Sequence, residues 1–345
     1  MSDFAAPRPA PVPGYSPNGS LAFPGGAALT EEAAKAKADM YRQLELKWIA
    51  VMNAVPSAEA GKSRKVRKLV IDGIPASVRG VVWLYLTDNK GRRMPGVYGQ
   101  LSRRKVAATK EIWADVQTRF PDQPHLCEAE GPIMSILQAY LSMVPDTIYS
   151  YGLALIAGNL LLQTHDEDAF WTFVAIMDRH LRGYFSPTAR LLEIDSILFE
   201  RAVISSDKAL AARLFDDFRV PAAEFCSHWF TTIFACALPP SYLPRIWDTI
   251  MFFSDPTFIL RLGLAMLKLC RPFIMDAARC HSGEDARNYL IRPPLTVFPK
   301  DPDSILSIAF SLKMKEDELK KLRPKVEAQL KQRHPLRAPS GSMRS

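Results

Sequence analysis

The sequence predicts an all-α, multi-helix domain with disordered extensions at both ends. Three observations carry this reading. Between Leu69 and about Leu290, apolar residues recur at spacings of three and four, the repeat of one helix face. Strictly alternating runs bounded by hairpin turns, the mark of half-buried strands, are missing there. No self-similarity at a fixed period is visible, which disfavours a solenoid.

Residues 1–28 are rich in Pro, Ala and Gly and hold too little apolar surface to offset the entropy of ordering, so they are read as disordered. Pro7, Pro9, Pro11 and Pro13 alternate regularly within them. Thr30 is placed to cap a helix, with Glu31 and Glu32 in the first turn, where carboxylates complement the helix dipole. Tyr41, Leu44, Trp48 and Met52 form its apolar face, and Pro56 ends it. A basic linker follows over 57–68, carrying Lys62, Arg64, Lys65, Arg67 and Lys68. We assign 29–65 to this helix and linker and 66–290 to the main domain. Within the domain, helices are expected over segments such as Pro132–Met143, Ala169–Leu181, Ala222–Cys236 and Thr257–Cys270. A helical extension over 291–335 holds a last helix from about Asp301 to Arg333, broken near Pro324 and basic at its end. Residues 336–345 are read as a disordered tail.

A hydrophobic fraction of 48% in 345 residues is ample for a packed core, in one large domain with extensions or two small ones. The net charge of +8 predicts attraction to anionic surfaces. The five cysteines are odd in number, widely spaced and set in apolar runs, which reads as reduced thiols in a cytoplasmic chain. No Cys/His cluster has zinc spacing, so no metal and no cofactor of its own is expected. The N-terminus has neither a basic region nor an apolar one of the kind that makes a signal peptide, and the longest apolar stretch, Leu153–Leu162, contains Asn159 and is too short to span a membrane.

Several motifs stand in order along the chain. Gly73-Ile74-Pro75-Ala76-Ser77-Val78-Arg79-Gly80-Val81-Val82-Trp83 opens a helix with Arg79 and Trp83 four apart on one face. The plain reading of that pair is a guanidinium stacked on its own tryptophan. Further on stand Ile112-Trp113-Ala114-Asp115-Val116-Gln117-Thr118-Arg119-Phe120-Pro121 and Tyr149-Ser150-Tyr151-Gly152-Leu153. His165 to Trp171, Trp229 to Cys236 and Arg245-Ile246-Trp247-Asp248 complete the series. Over about residues 66 to 290 the chain resembles the TBC domain of Rab GTPase-activating proteins. In that family G-I-P-x-x-x-R-x-x-x-W opens an all-helical domain, and I-x-x-D-x-x-R-T-x-P and Y-x-Q-G-M follow.

The resemblance implies a mechanism with two fingers. An arginine enters the site of a bound Rab and neutralises charge developing on the transferring phosphoryl group, while a glutamine positions the attacking water. Phosphoryl transfer is mostly positioning and charge stabilisation, so a trans arginine is worth ~10³ to 10⁵ in rate. Both positions depart from the pattern here. Aligned on Ile112, Asp115 and Pro121, the arginine position holds Thr118, and Arg119 follows it. Aligned on Tyr149 and Gly152, the glutamine position holds Tyr151, whose hydroxyl lacks the paired donor and acceptor of a carboxamide. A one-residue shift moves a Cα by ~3.8 Å and turns it by roughly 100° in a helix, which aims Arg119 elsewhere. The plain reading of Arg119 is a surface ion pair or a contact with an acidic partner. That of Tyr151 is packing beside Tyr149.

The resulting expectation is a regulator that binds a GTP-loaded Rab-family GTPase with weak or absent two-finger catalysis, a pseudo-GAP in vesicle trafficking. It places no enzymatic site in the chain itself, and leaves GTP and Mg²⁺ on the partner. The alternatives are an active GAP with Arg119 as a shifted finger, and a helical adaptor indifferent to nucleotide. Peripheral association with endomembranes through the GTPase is expected, and nucleic acid is not. Gly61-Lys62-Ser63 lacks the first glycine and the strand of a P-loop. The carboxylates beside His165 suit an acidic helix start rather than a metal. Ser227-His228 and Cys280-His281 show no orienting partner, which argues against a catalytic dyad.

Overall fold

The computed structural model describes residues 31–333 apart from Ala129, Ser254, Pro256 and Lys315. The disorder expected for 1–28 and 336–345, the Thr30 cap and the alternating prolines lie outside the described residues. Helices run throughout, and no strand occurs among the described residues. The first are α1 (Glu31–Ala54), α2 (Arg64–Asp72) and α3 (Ala76–Leu86), then the short α4 (Asn89–Arg92) and α5 (Val97–Leu101). The middle holds α6 (Thr109–Arg119), α7 (Pro132–Met143), α8 (Tyr151–Leu161), α9 (Asp166–Ile176), α10 (Arg190–Ser206) and α11 (Lys208–Ala211). The remainder is α12 (Ala222–Thr231), α13 (Leu243–Phe252), α14 (Thr257–Ile274), α15 (Gly283–Ile291), α16 (Pro302–Ser311) and α17 (Glu316–Arg333). One core cluster runs from Trp48 on α1 to Leu330 on α17, so both end helices pack on the domain body.

Four elements differ from the sequence reading, each for a physical reason. On α1, Trp48 and Val51 are buried but Tyr41 is 44% exposed, so the packed face begins only at Leu44. The stretch read as a basic linker is helical. A 3₁₀ turn over Ser57–Lys62 leads into α2, whose start is capped by the Ser63 hydroxyl accepting from the Val66 N–H. Val66, Leu69 and Val70 bury one side of α2 while its lysines and arginines face out. Next, α12 ends at Thr231, short of Cys236, because Ile233 and Phe234 take left-handed backbone (φ 45° and 62°). Such a conformation costs a β-branched residue roughly 1–3 kcal/mol. Here it is fixed by the Phe234 N–H on the Trp229 carbonyl and by the Trp247 indole N–H on the Ile233 carbonyl. Finally, the expected last helix is two helices. Asp301 caps α16 by accepting from the Ser304 N–H, the break falls between Ser311 and Glu316, and Pro324 sits inside α17. Packing of α16 on α14 and of α17 on α10 sets that break.

The opening motif and the Arg245–Asp248 run meet in space. Asp248 is fully buried and accepts from Arg79 Nε at 3.1 Å and from Trp83 Nε1 at 2.8 Å. Arg79 also donates to the Ile74 carbonyl at 2.7 Å, so its guanidinium is held by hydrogen bonds rather than by stacking on Trp83. Trp83 packs instead near Trp247, at 6.1 Å between centroids. Arg245 bonds the Val70 and Ile71 carbonyls and Asp303, tying α2, α13 and α16 together.

After α9 a π turn, Met177–Leu181, buries His180 beside Arg179, which donates to the Leu86 and Met251 carbonyls. Burial, and then the Arg179 charge, pushes the His180 imidazole down to about 4. A depressed histidine favours the fold fully above the unfolded value of about 6.5, and the contribution is lost as pH falls toward 4. A shift of this size is worth about 3 kcal/mol at most. We therefore expect urea unfolding of the native chain to weaken between about pH 6.5 and 4.5, and the loss to be shallower in His180→Gln. Parallel pH profiles for the two would show that His180 is not the group responsible.

Candidate functional site

The site gathers the end of α6, the start of α8 and the end of α12. Two glycines allow these helices to touch. A Cβ on Gly158 would stand 2.2 Å from the Phe120 ring, so the absence of a side chain there seats Phe120 and the end of α6 against α8. A Cβ on Gly152 would meet the Thr231 carbonyl at 2.7 Å, so the start of α8 closes on the end of α12. Ile112, on the inner face of α6, is fully buried. Asp115 accepts from the Tyr149 hydroxyl at 2.8 Å, tying α6 to the segment before α8. Burial, then this bond to Asp115, raises the Tyr149 hydroxyl far above its usual range. Phe120 leaves the helix with φ −127°, as a residue before proline tends to, and Pro121 is exposed beyond it.

Thr118 is exposed, and its hydroxyl donates back to the Ala114 carbonyl of its own helix. Arg119, half-buried, is the last residue of α6. Its guanidinium carbon lies 4.4 Å from the centroid of the Tyr151 ring. Because α6 stops at Arg119, the long side chain runs across to α8. Its Nε is buried without a hydrogen-bond partner, and no ion pair joins it to a carboxylate among the described residues. A cation resting on an aromatic face is held by about 0.5–2 kcal/mol, weakly enough to be drawn to a stronger anion.

Tyr151, like Tyr149, is partly buried and packed against the core. It is half-buried, with Arg119 on its ring and its hydroxyl 2.7 Å from His228 Nδ1 on α12. Burial, with a smaller contribution from Cys236, pushes the hydroxyl up to about 12, so it stays protonated near neutrality. Burial, then Arg292 and Arg119, lowers His228 from its ordinary value, so it is neutral there. Sequence reasoning set His228 aside for want of an orienting partner; that partner is Tyr151, from a different helix. Beside the site opens a groove of about 310 Å³, lined by Ile148 to Tyr151, Tyr184 to Pro187, Ser227, His228 and Thr231. Arg79 and Trp83 are elsewhere, in the α3–α13 contact. Among the described residues no group of three or more His, Cys, Asp or Glu side chains is arranged to hold a metal ion.

The chain matches the Rab-GTPase-TBC domain over residues 76–275. It is 31% identical over 242 residues to mouse "TBC1 domain family member 10B", covering 67% of this chain but only 30% of that protein. It is 25% identical over 224 residues to "GTPase-activating protein GYP5" of Eremothecium gossypii, covering 64% of this chain and 26% of that one. Among solved structures it resembles the Chlamydomonas flagellar RabGAP TBC domain, with a TM-score of 0.60 and 21% identity over 84% of this chain and 97% of the other. That likeness speaks to the fold. The expectation that the chain has no enzyme-like site of its own is corrected by these matches, since they place it among GTPase-activating domains and one relative is by name a GTPase-activating protein. With its helical fold, its ordered motifs and a profile match spanning more than half its length, this chain belongs to the Rab-GTPase-TBC domain family.

Proposed function

We propose that this chain accelerates GTP hydrolysis by a Rab-family small GTPase, with Arg119 as the cation delivered in trans. One observation carries the reading: a guanidinium with no carboxylate partner among the described residues lies against the side chain at the glutamine position. The two departures from the family pattern thus converge on one place. Thr118 carries no charge and bonds to its own helix, so it contributes nothing to the phosphoryl group. The catalysis rests on one arginine and lacks a carboxamide, so its ceiling lies below that of an arginine–glutamine pair. GTP and Mg²⁺ belong to the partner. No helix among the described residues is long and apolar enough to cross a membrane. In this reading, association with trafficking membranes follows the GTPase.

Single-turnover GTP hydrolysis by a panel of purified Rab proteins, with and without this chain, tests the reading. Stimulation of at least one Rab by roughly 10³-fold is expected. The double variant Thr118→Arg, Tyr151→Gln, run beside it, restores the family pattern and is expected to stimulate the same Rab further. A native chain that stimulates none, while the double variant does, would sink the proposal. An adaptor indifferent to nucleotide would bind GTP- and GDP-loaded Rab equally, whereas the proposal requires tighter binding of the GTP form.

A further inference from the structure

The glutamine that the site lacks does one job: it holds a water in line with the γ-phosphorus. A carboxamide does so by accepting from the water and donating nearby. A phenol alone has one hydrogen to give and two lone pairs to receive, and its hydrogen can point anywhere. In this chain that freedom is lost when His228 Nδ1 is unprotonated, because the Tyr151 hydroxyl sits 2.7 Å from it and can donate to it. The ring is also pinned, with the Arg119 guanidinium 4.4 Å from its centroid. Backbone packing fixes both partners. Gly152 lets α8 close on Thr231, and the His228 carbonyl accepts from Thr232 Oγ1 at the end of α12.

We propose that Tyr151 takes the place of the missing glutamine as the group that orients the hydrolytic water, and that His228 is the positioning residue that makes it able to do so. The inference rests on the activating function proposed above and specifies how that site handles water. With Nδ1 unprotonated, the phenol donates to it and leaves its oxygen lone pairs to accept from the water. The water then keeps its own lone pair for phosphorus. Its oxygen bonds to the γ-phosphorus as the bond from that phosphorus to the β–γ bridging oxygen breaks. GDP leaves with the electron pair on its β-phosphate, and the water's proton ends on the product phosphate. Tyr151 exchanges no proton in this scheme.

Protonation of His228 reverses the arrangement. The imidazolium donates into a phenol lone pair and turns the phenol hydrogen outward, toward the lone pair the water needs. The charged groups acting on His228 are Arg292, beyond α15, and Arg119, at the end of α6. From the neighbouring elements α8 brings Tyr151, and the turn after α12 brings Cys236, whose thiol bonds the His228 carbonyl. Glu224 on α12 pairs with Arg287 on α15, Asp195 on α10 pairs with Arg323 on α17, and the charges acting on His228 among the described residues are both arginines. Activation should therefore fail in acid, below the ordinary histidine range.

The test uses the full chain and the Rab from the panel that responds most strongly. The maximal single-turnover rate and the half-saturating chain concentration are measured between about pH 5.5 and 8, each relative to the Rab's intrinsic rate. Tyr151→Phe and His228→Ala are expected to lower the maximal rate by about 10²-fold with little change in half-saturation. His228→Asn keeps an acceptor near the place of Nδ1 and does not titrate. It should recover most of the rate and flatten the acid limb seen in the native chain. Melting temperatures identify any variant that has merely lost its fold. Tyr151→Phe at the native rate, or an acid limb unchanged in His228→Asn, overturns the inference. If Arg119→Ala is inactive while folded Tyr151→Phe is not, this inference falls and the activating function stands. If no Rab responds to the native chain, both fall.

Discussion

Arg119→Ala is expected to remove nearly all stimulation of GTP hydrolysis, about 10³-fold in the single-turnover rate, while the complex with a GTP-loaded Rab still forms. That loss corresponds to about 4 kcal/mol of transition-state stabilisation. The reason for a rate effect without a binding effect lies in the resting position of the side chain. In the free chain the guanidinium rests on the Tyr151 ring and makes no ion pair among the described residues, so moving it onto a phosphate breaks nothing costly. Negative charge moves toward the β–γ bridging oxygen as its bond to the γ-phosphorus breaks, and a cation that meets that charge there contributes to the rate rather than to affinity. Arg119→Lys keeps the charge but loses the planar fork and should recover only part of the activity. Thr118→Ala is the matched control. Its hydroxyl is bonded to its own helix and faces solvent, so the rate should stay within about two-fold of the native value. Equal losses in Thr118→Ala and Arg119→Ala would show that the end of α6 supports docking and supplies no cation.

The all-helical architecture and the motif residues were legible because they depend on local periodicity and on spacing along the chain. What escaped was set by contacts between distant segments. The charges of α2 concealed three buried apolar residues, so a short amphipathic helix passed for a linker. The end of α12 carries no glycine or proline to announce it, and its left-handed turn falls on Ile233 and Phe234, held by Trp229 and Trp247. The direction of Arg119 depends on where α6 ends, and that depends on Phe120 fitting over Gly158. The Tyr151–His228 bond joins residues on α8 and α12. One signal for it was available: a half-buried tyrosine hydroxyl needs a polar partner, and His228 was among the few histidines at hand.

The second large effect concerns stability. Arg79→Ala is expected to destabilise the domain by about 3–5 kcal/mol near pH 7.5, because it strands the fully buried Asp248 carboxylate with the Trp83 indole as its remaining close donor. Burial already raises the Asp248 carboxyl to about 6 in the native chain, against the opposing pull of Arg79 and Trp83. Without Arg79 the carboxyl rises further. A carboxyl raised in the fold binds a proton more tightly there than in the unfolded chain, so its contribution is present at low pH and is lost as pH rises through the folded value. The deficit of Arg79→Ala relative to the native chain should therefore shrink as pH is lowered from about 7.5 toward 5.5. Trp83→Phe removes one donor but keeps most of the packing against Trp247, and should cost about 1–3 kcal/mol. Removing both charges together, in Arg79→Met with Asp248→Leu, should be milder than Arg79→Ala alone, since no buried charge is left unpaired. Urea unfolding of the three variants and the native chain across this pH range decides the matter. A pH-independent deficit in Arg79→Ala would mean that the loss comes from packing of the arginine stem and the Ile74 carbonyl bond, and that the buried carboxylate is not what the guanidinium is there to hold.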